Sequence, residues 1–244
     1  GVFIFSTYHW WIPAGCCSML SFATIVTWLW TGTAEIPEKE TKPVGLGQSL
    51  PLYVSGPAAV GWWAMFITML GDMTAFISLV FGYFFYWTVH EDFPPEQWNG
   101  EPVVGAGTIW PLVSVGLAVV AWCAVVMARR LNRGNHSVGF YSSSLLAVAA
   151  TVASGAALVW GPYSNGMDPT VHVYSSTTGV LVLWTVVHLA LGATMLVYCI
   201  ARRLFGKMDA KHDADIVNVT LGWHFLLLTA AITGSVLALF PWVA

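Results

Sequence analysis

Apolar residues gather into six long blocks along the chain, at roughly 5–31, 58–88, 107–130, 139–160, 173–201 and 216–242, with polar stretches between them. About 20 consecutive apolar residues make a helix long enough to span a hydrocarbon core, so each block predicts one transmembrane helix. The longest interruption, TGTAEIPEKETKPVGLGQSLPLYVSGP, is rich in Pro, Gly and charge and reads as a linker lying along the inner membrane surface. It divides one helix from five. The expected organisation is a leading helix over residues 1–33, a linker over 34–57 and a five-helix domain over 58–244. The later connections are short, which predicts antiparallel neighbours in one bundle. The fold class is all-α integral membrane, with six transmembrane helices.

Composition agrees: 57% of the 244 residues are hydrophobic and 9% are charged, a balance foreign to soluble domains of this size. Charge then orients the helices. All nine Lys and Arg fall into three connections, as Lys39 and Lys42, then Arg129, Arg130 and Arg133, then Arg202, Arg203, Lys207 and Lys211. The intervening loops HEDFPPEQWNGEP and GPYSNGMDPTV carry acids and no Lys or Arg. Such alternation places the basic loops on the cytoplasmic side and both termini outside. Every Trp except Trp122 and Trp184 lies near an expected helix end or in a loop, as an interfacial aromatic belt requires. The chain opens GVFIFSTYHWW, with no basic n-region and no small-residue cleavage site after its long first helix. A longer polytopic chain upstream is the expectation.

Small residues Ser143, Ala147, Thr151 and Gly155 recur every four positions in the fourth block, a stripe suited to close helix approach. Cys16, Cys17, Cys123 and Cys199 have no metal-site spacing and read as packing residues. No metal site is expected on this chain, and the charge pattern offers no nucleic-acid surface.

Polar groups within the hydrocarbon carry the candidate chemistry, because an ionised side chain there is costly unless paired or wetted. ITMLGDMTAFISL sets Asp72 among apolar residues, and His188 and His224 lie inside later blocks. Counting about 1.5 Å per residue from the helix ends puts Asp72 and His188 nearly level, with His224 about 6 Å shallower. The first two are therefore within reach of each other. They could form a structural hydrogen bond between a protonated acid and a neutral imidazole. They could instead belong to a polar patch that brings protons or water to a neighbouring subunit. Haem ligation by His188 and His224 fits poorly with their difference in depth. His9, His90, His136, His172 and His212 fall at helix ends or in loops. No hydrolase, phosphate-loop or dinucleotide motif occurs.

The segment YSSTTGVLVLWTVVHLALG resembles the sixth helix of subunit III of the haem-copper cytochrome c oxidases, through Tyr174, Thr178, Gly179, His188 and Gly192. The family commonly has a second His where this chain has Thr185. GWHFLLL is similar to the inner end of the family's last helix, matched by Trp223, His224 and Phe225. GWWAMFITMLGDMTAF puts Asp72 where the family usually has Glu, one methylene longer. FFYWTVHEDFPP, with His90, resembles the end of that same helix. The resemblance covers residues 58–244 and five of the seven helices of a full subunit III. A five-helix form is implied where subunits I and III are fused. FSTYHWWIPAGCCSMLSFATIVTWLW is similar to the last helix of subunit I through Trp11, Pro13, Gly15 and Trp30, and a remnant second helix of subunit III would run the same way.

The resemblance implies a non-catalytic subunit of a proton-pumping terminal oxidase in a bacterial cytoplasmic membrane. It would stabilise subunit I, bind phospholipid and support proton uptake during oxygen reduction. Haem and copper would belong to partner subunits I and II, and cytochrome c or a bc1-type complex would be met through the assembly. Asp72, His188 and His224 are the candidate buried polar residues, and Arg129, Arg130, Arg133, Arg202 and Arg203 the candidate headgroup contacts. A proton-coupled transporter fragment using Asp72 is the alternative, and predicts helices broken near the midplane. A membrane assembly scaffold is another.

Overall fold

The structure, a computed structural model, describes residues 1–32, 36, 39–98, 101–102 and 109–242. Six of its helices are long and apolar enough to cross a membrane. The chain is a multi-pass membrane protein.

Residues Gly1–Leu52 form one compact unit and Tyr53–Ala244 a second. In the first, a short helix α1 (Val2–Thr7) precedes the long α2 (Trp11–Gly32). The hydropathy pattern predicts one helix here. Pro13 explains the break: its ring would clash with the carbonyl four residues back, and it is tolerated only in a first turn. The chain therefore turns at His9, with φ of 58°, and restarts. Residue 33, at the end of the expected leading helix, and residues 34, 35, 37 and 38 of the expected linker lie outside the described residues. Beyond them comes a hairpin of β1 (Thr41–Gly45) and β2 (Gln48–Pro51), pairing Thr41 with Pro51 and Gly45 with Gln48. Leu46 and Gly47 both have positive φ, as a tight two-residue hairpin turn requires.

The second unit is a bundle of α3 (Val60–Val89), α4 (Ile109–Arg133), α5 (Ser137–Ser164), α6 (Val173–Leu204) and α7 (Ala214–Leu239). A two-residue pairing of β3 (Gln97–Trp98) and β4 (Glu101–Pro102) lies between α3 and α4. Helices α4, α5, α6 and α7 close a ring in which each touches the next, and α3 seats in the crevice between α6 and α7. Small residues set these distances. Ala118, Ala121, Val125 and Ala128 on α4 are fully buried, as are Ser144 and Ala147 on α5. Ser114 and Ser154 bridge the same two helices through hydroxyls 3.0 Å apart. Gly155, at the end of the expected stripe, has open space where a β-carbon would go. With Thr151 it lines a groove of about 610 Å³ between α5 and α6. The tight approaches lie elsewhere, at Gly192, Gly222 and Gly234.

Candidate functional site

Helices α3, α6 and α7 converge on an acid and an imidazole. His188 sits one turn after Trp184 on α6, and its Nδ1 lies 2.8 Å from the Trp184 carbonyl oxygen. The His188 ring packs against the Trp184 indole, with centroids 4.3 Å apart, and against the edge of Phe225 from α7. Held in this way, its Nε2 faces Asp72 Oδ2 across 3.7 Å. A carbonyl partner requires hydrogen on Nδ1. In a neutral ring Nε2 then offers a lone pair towards a carboxylate oxygen, and two acceptors repel. A proton on either group removes the conflict, and so does a water that donates to both. The separation exceeds a direct hydrogen bond, so a bridging water or a small side-chain movement would complete it.

The Asp72 side chain is 40% exposed and that of His188 is 13% exposed. The acid is thus half-open on the surface of this bundle, where burial was expected. Its one-methylene stem holds the carboxylate close to α3, at the mouth of a cavity of about 260 Å³ between α3, α6 and α7. Met65, Met69, Trp223 and Leu226 line the cavity with the pair. Glycines bring these walls together. A β-carbon on Gly222 would lie 2.6 Å from Met65 Cε, and one on Gly192 3.4 Å from the Trp223 ring. The Trp223 indole is 1% exposed, and its N–H has no hydrogen-bond partner.

His224 does not join the pair. Successive helical residues point about 100° apart. Trp223 and Phe225 occupy the buried directions of α7, so His224 is exposed and turns to α4. There Trp122 Nε1 donates to His224 Nδ1 at 2.8 Å.

At the basic end of the bundle the arginines divide. Arg203 is 9% exposed and donates to Asn132, to Ser137 Oγ at 3.1 Å and to Asn135 Oδ1 at 3.4 Å, with its guanidinium 5.1 Å from the Phe140 ring centre. Asn132, fully buried, donates in turn to the Asp209 carbonyl at 2.8 Å. Arg202, 5% exposed, has Nε 2.7 Å from Asp215 Oδ2, an ionic contact off-line for a hydrogen bond, and donates through a terminal nitrogen to the Lys207 carbonyl at 3.0 Å. Arg133 Nε donates to the buried Asp213 carboxylate at 2.7 Å. Of the residues expected at lipid headgroups, Arg202 and Arg203 are therefore taken up inside the fold, while Arg129 and Arg130 are half-buried and exposed. The α6–α7 connection brings polar partners inward, which hydropathy does not register.

Beside this cluster, Tyr53 accepts the Ala214 N–H through its hydroxyl and meets the His212 ring edge-on at 4.5 Å. Burial pushes the Tyr53 phenol up to about 12, against the Ala214 N–H and with help from Asp213, Asp215 and Asp209. Asp209 accepts from the Lys211 and His212 backbone N–H groups at 2.8 and 2.6 Å. Burial raises its carboxyl, but these bonds and the His212 side chain outweigh burial and hold it below its ordinary value.

Other residues of the α6 pattern have packing roles. Tyr174 is 2% exposed against Phe93, and its N–H donates to His172 Nδ1, a helix cap that sequence reasoning missed. Gly179 lets Pro169 approach to 3.5 Å of its β-position. Thr185 joins α6 to α7 through Thr233 Oγ1 at 2.9 Å. Among the described residues, no three His, Cys, Asp or Glu side chains group as a metal site would need.

Fold and site together define a class: a multi-pass membrane protein whose helical bundle carries a paired carboxylate and imidazole within the membrane. Compared with curated proteins, the chain is similar to cytochrome c oxidase subunit 3 of Drosophila yakuba, 22% identical over 174 residues. The match covers 67% of this chain and 63% of that protein, so the chain spans less than two thirds of the relative's length. No family model matches the chain.

Proposed function

We propose that this chain is a subunit III-like component of a haem-copper terminal oxidase in a bacterial cytoplasmic membrane, with its basic end on the cytoplasmic side and both termini outside. The observation that carries the reading is the similarity to cytochrome c oxidase subunit 3 across a bundle that sets Asp72 and His188 3.7 Å apart. In this role the chain is not itself catalytic. It packs beside subunit I, with subunit II in the same complex, and the haem and copper reside in those partners. Cytochrome c or a bc1-type complex is met through the assembly. Helix α2 would be the last helix of a fused subunit I. Arg129 and Arg130, near the basic end of α4, would meet phospholipid headgroups; Arg130 is exposed and Arg129 half-buried.

The Asp72–His188 pair sets a carboxylate and an imidazole 3.7 Å apart and opens towards the bundle surface, an arrangement that suits a proton relay at a subunit boundary. A proton arriving on Asp72 moves to His188 Nε2, and the Trp184 carbonyl holds the ring in register as it does so. Helix α3 runs unbroken past Asp72, which favours this reading over a transporter site built from interrupted helices. The test is Asp72→Asn in the assembled oxidase. The amide keeps the shape but cannot release a proton, so proton uptake slows and turnover-dependent inactivation quickens. Unchanged uptake, turnover and inactivation would reduce the pair to a structural contact.

A further inference from the structure

His224 stands apart from the Asp72–His188 pair, on the surface of the bundle beside the contact between α4 and α7. The bond it accepts from the Trp122 N–H uses the Nδ1 lone pair, because an indole nitrogen only donates. A ring that makes this bond carries its own hydrogen on Nε2. Nε2 lies at the far end of the ring from the backbone and on the flank opposite Nδ1, so its N–H points away from both α7 and Trp122. The side chain is exposed there, and among the described residues nothing accepts from that N–H.

Depth makes such a donor costly. His224 lies 9 residues past Asp215 and 15 before Leu239 on α7, about 14 and 22 Å along the axis. The imidazole is therefore well inside a hydrocarbon core about 30 Å thick, below the headgroups, where lipid tails accept no hydrogen bond. Ionisable side chains at that depth almost always face protein or a water-filled cavity. A water here would need two to four polar partners. The exposed residues within one turn of Trp122 and His224 are Val119, Val120, Cys123 and Leu228, and none carries an oxygen. A second copy of this chain, packed about a two-fold axis at this spot, would set donor against donor. A neutral oxygen suits the N–H better than a carboxylate, which would bring an ionised group into the hydrocarbon with one hydrogen bond to offset it.

We infer that the α4–α7 face around His224 docks a transmembrane helix of a different protein, one that presents a hydroxyl or amide oxygen, from Ser, Thr, Asn or Gln, to His224 Nε2. Trp122 holds the ring so that the donor is already aimed at the partner. Within the oxidase reading that helix belongs to a partner subunit, but the inference itself requires only that the bundle spans a bilayer.

The test uses the full chain in native membranes, with the photoreactive residue benzoylphenylalanine in place of Leu228, one turn from His224. After irradiation the tagged chain is purified under denaturing conditions and the crosslinked peptides are sequenced by mass spectrometry. The expected product joins one transmembrane segment of one other protein, within a turn of a Ser, Thr, Asn or Gln. Crosslinks to lipid alone, to this same chain, or to a helix with no such residue within a turn would overturn the inference. A second measurement dilutes the complex in mild detergent and follows the ratio of partner to chain. His224→Phe should lose the partner at an about fivefold higher concentration, the effect of one hydrogen bond between helices. His224→Gln, which keeps an acceptor for the indole and a donor for the partner, should retain it. Trp122→Phe removes the bond inside the chain but leaves the Nε2 donor, and should shift that concentration by less than about twofold. No effect of His224→Phe, or an equal effect of Trp122→Phe, would also overturn the inference. If His224→Phe does not assemble, the crosslinked residue and His224→Gln decide. Haem in the same detergent extract reports separately on the oxidase reading, so the two can fail independently.

Discussion

Replacing Gly234 by Ala, and separately Gly155 by Ala, sets a glycine that a helix contact requires against one that it does not. Both lie inside bundle helices, Gly234 on α7 and Gly155 on α5. A β-carbon at Gly234 would stand 2.9 Å from the Pro111 carbonyl oxygen of α4 and press on Val115, whereas at Gly155 it would meet nothing within 4 Å. Ordinary contact begins at 3.4 Å, so α4 and α7 must part by about 0.5 Å, and overpacking of this kind costs about 1–3 kcal/mol. The gain in helix propensity from Gly to Ala is common to both variants and cancels in the comparison. Gly234→Ala should therefore unfold about 2–12 °C below Gly155→Ala, at about 2–4 °C per kcal/mol for a chain of this size. A thiol-reactive dye follows the unfolding in detergent, because Cys199 is fully buried while Cys16 and Cys123 are exposed and react at the start. Equal midpoints, or a lower midpoint for Gly155→Ala, would show that α4 and α7 are not packed as described.

Arg203→Met should destabilise the basic end by about 2–4 kcal/mol, the sum of stranding the Asn132 oxygen and losing the Phe140 contact. Arg203→Lys should recover little, since a single ammonium cannot reach Asn132, Asn135 and Ser137 together; full recovery in thermal melts would contradict the fork geometry. Tyr53 has a phenol raised to about 12 from 10.0. Between those values the unfolded chain has lost this proton and the folded chain keeps it, so stability falls as pH rises through that window and levels off above it. Tyr53→Phe should flatten the fall, read as melting midpoint against pH. Asp209 shifts the other way: its folded value lies below the ordinary 3.8. Its contribution is present above 3.8 and is lost as pH drops through the lower folded value, and Asp209→Asn should abolish that acid-side loosening of the α6–α7 connection in hydrogen exchange.

Hydropathy and charge were enough to read the six helices, because length and apolar content follow directly from the span of a bilayer. The extent of each was read less well. Helix α1 separates from α2 because of one proline ring, and the expected linker carries a hairpin fixed by two positive φ values. Depth arithmetic made contact between Asp72 and His188 possible, since axial position follows from counting residues. Rotation about the axis does not follow from counting. This is why His224, between two buried neighbours, turns to Trp122, and why Gly155 faces a groove instead of a helix. Arg202 and Arg203 sit in a basic run that looks surface-bound in sequence. Their partners, Asn132, Ser137 and Asp215, come from other helix ends, and only the folded connection brings them together. The cap from His172 to Tyr174 carries no capping signal among Ser, Thr, Asp or Asn that would have drawn notice.

The central claim is that this bundle serves inside a haem-copper oxidase. The most direct measurement is purification in mild detergent through a tag on this chain, followed by a reduced-minus-oxidised visible spectrum and intact masses of every copurifying protein. Haem absorbance with partner subunits in equimolar amount is the predicted result, and the mass of the tagged chain will show whether α2 is joined to a larger subunit. A colourless preparation without stoichiometric partners would contradict the account.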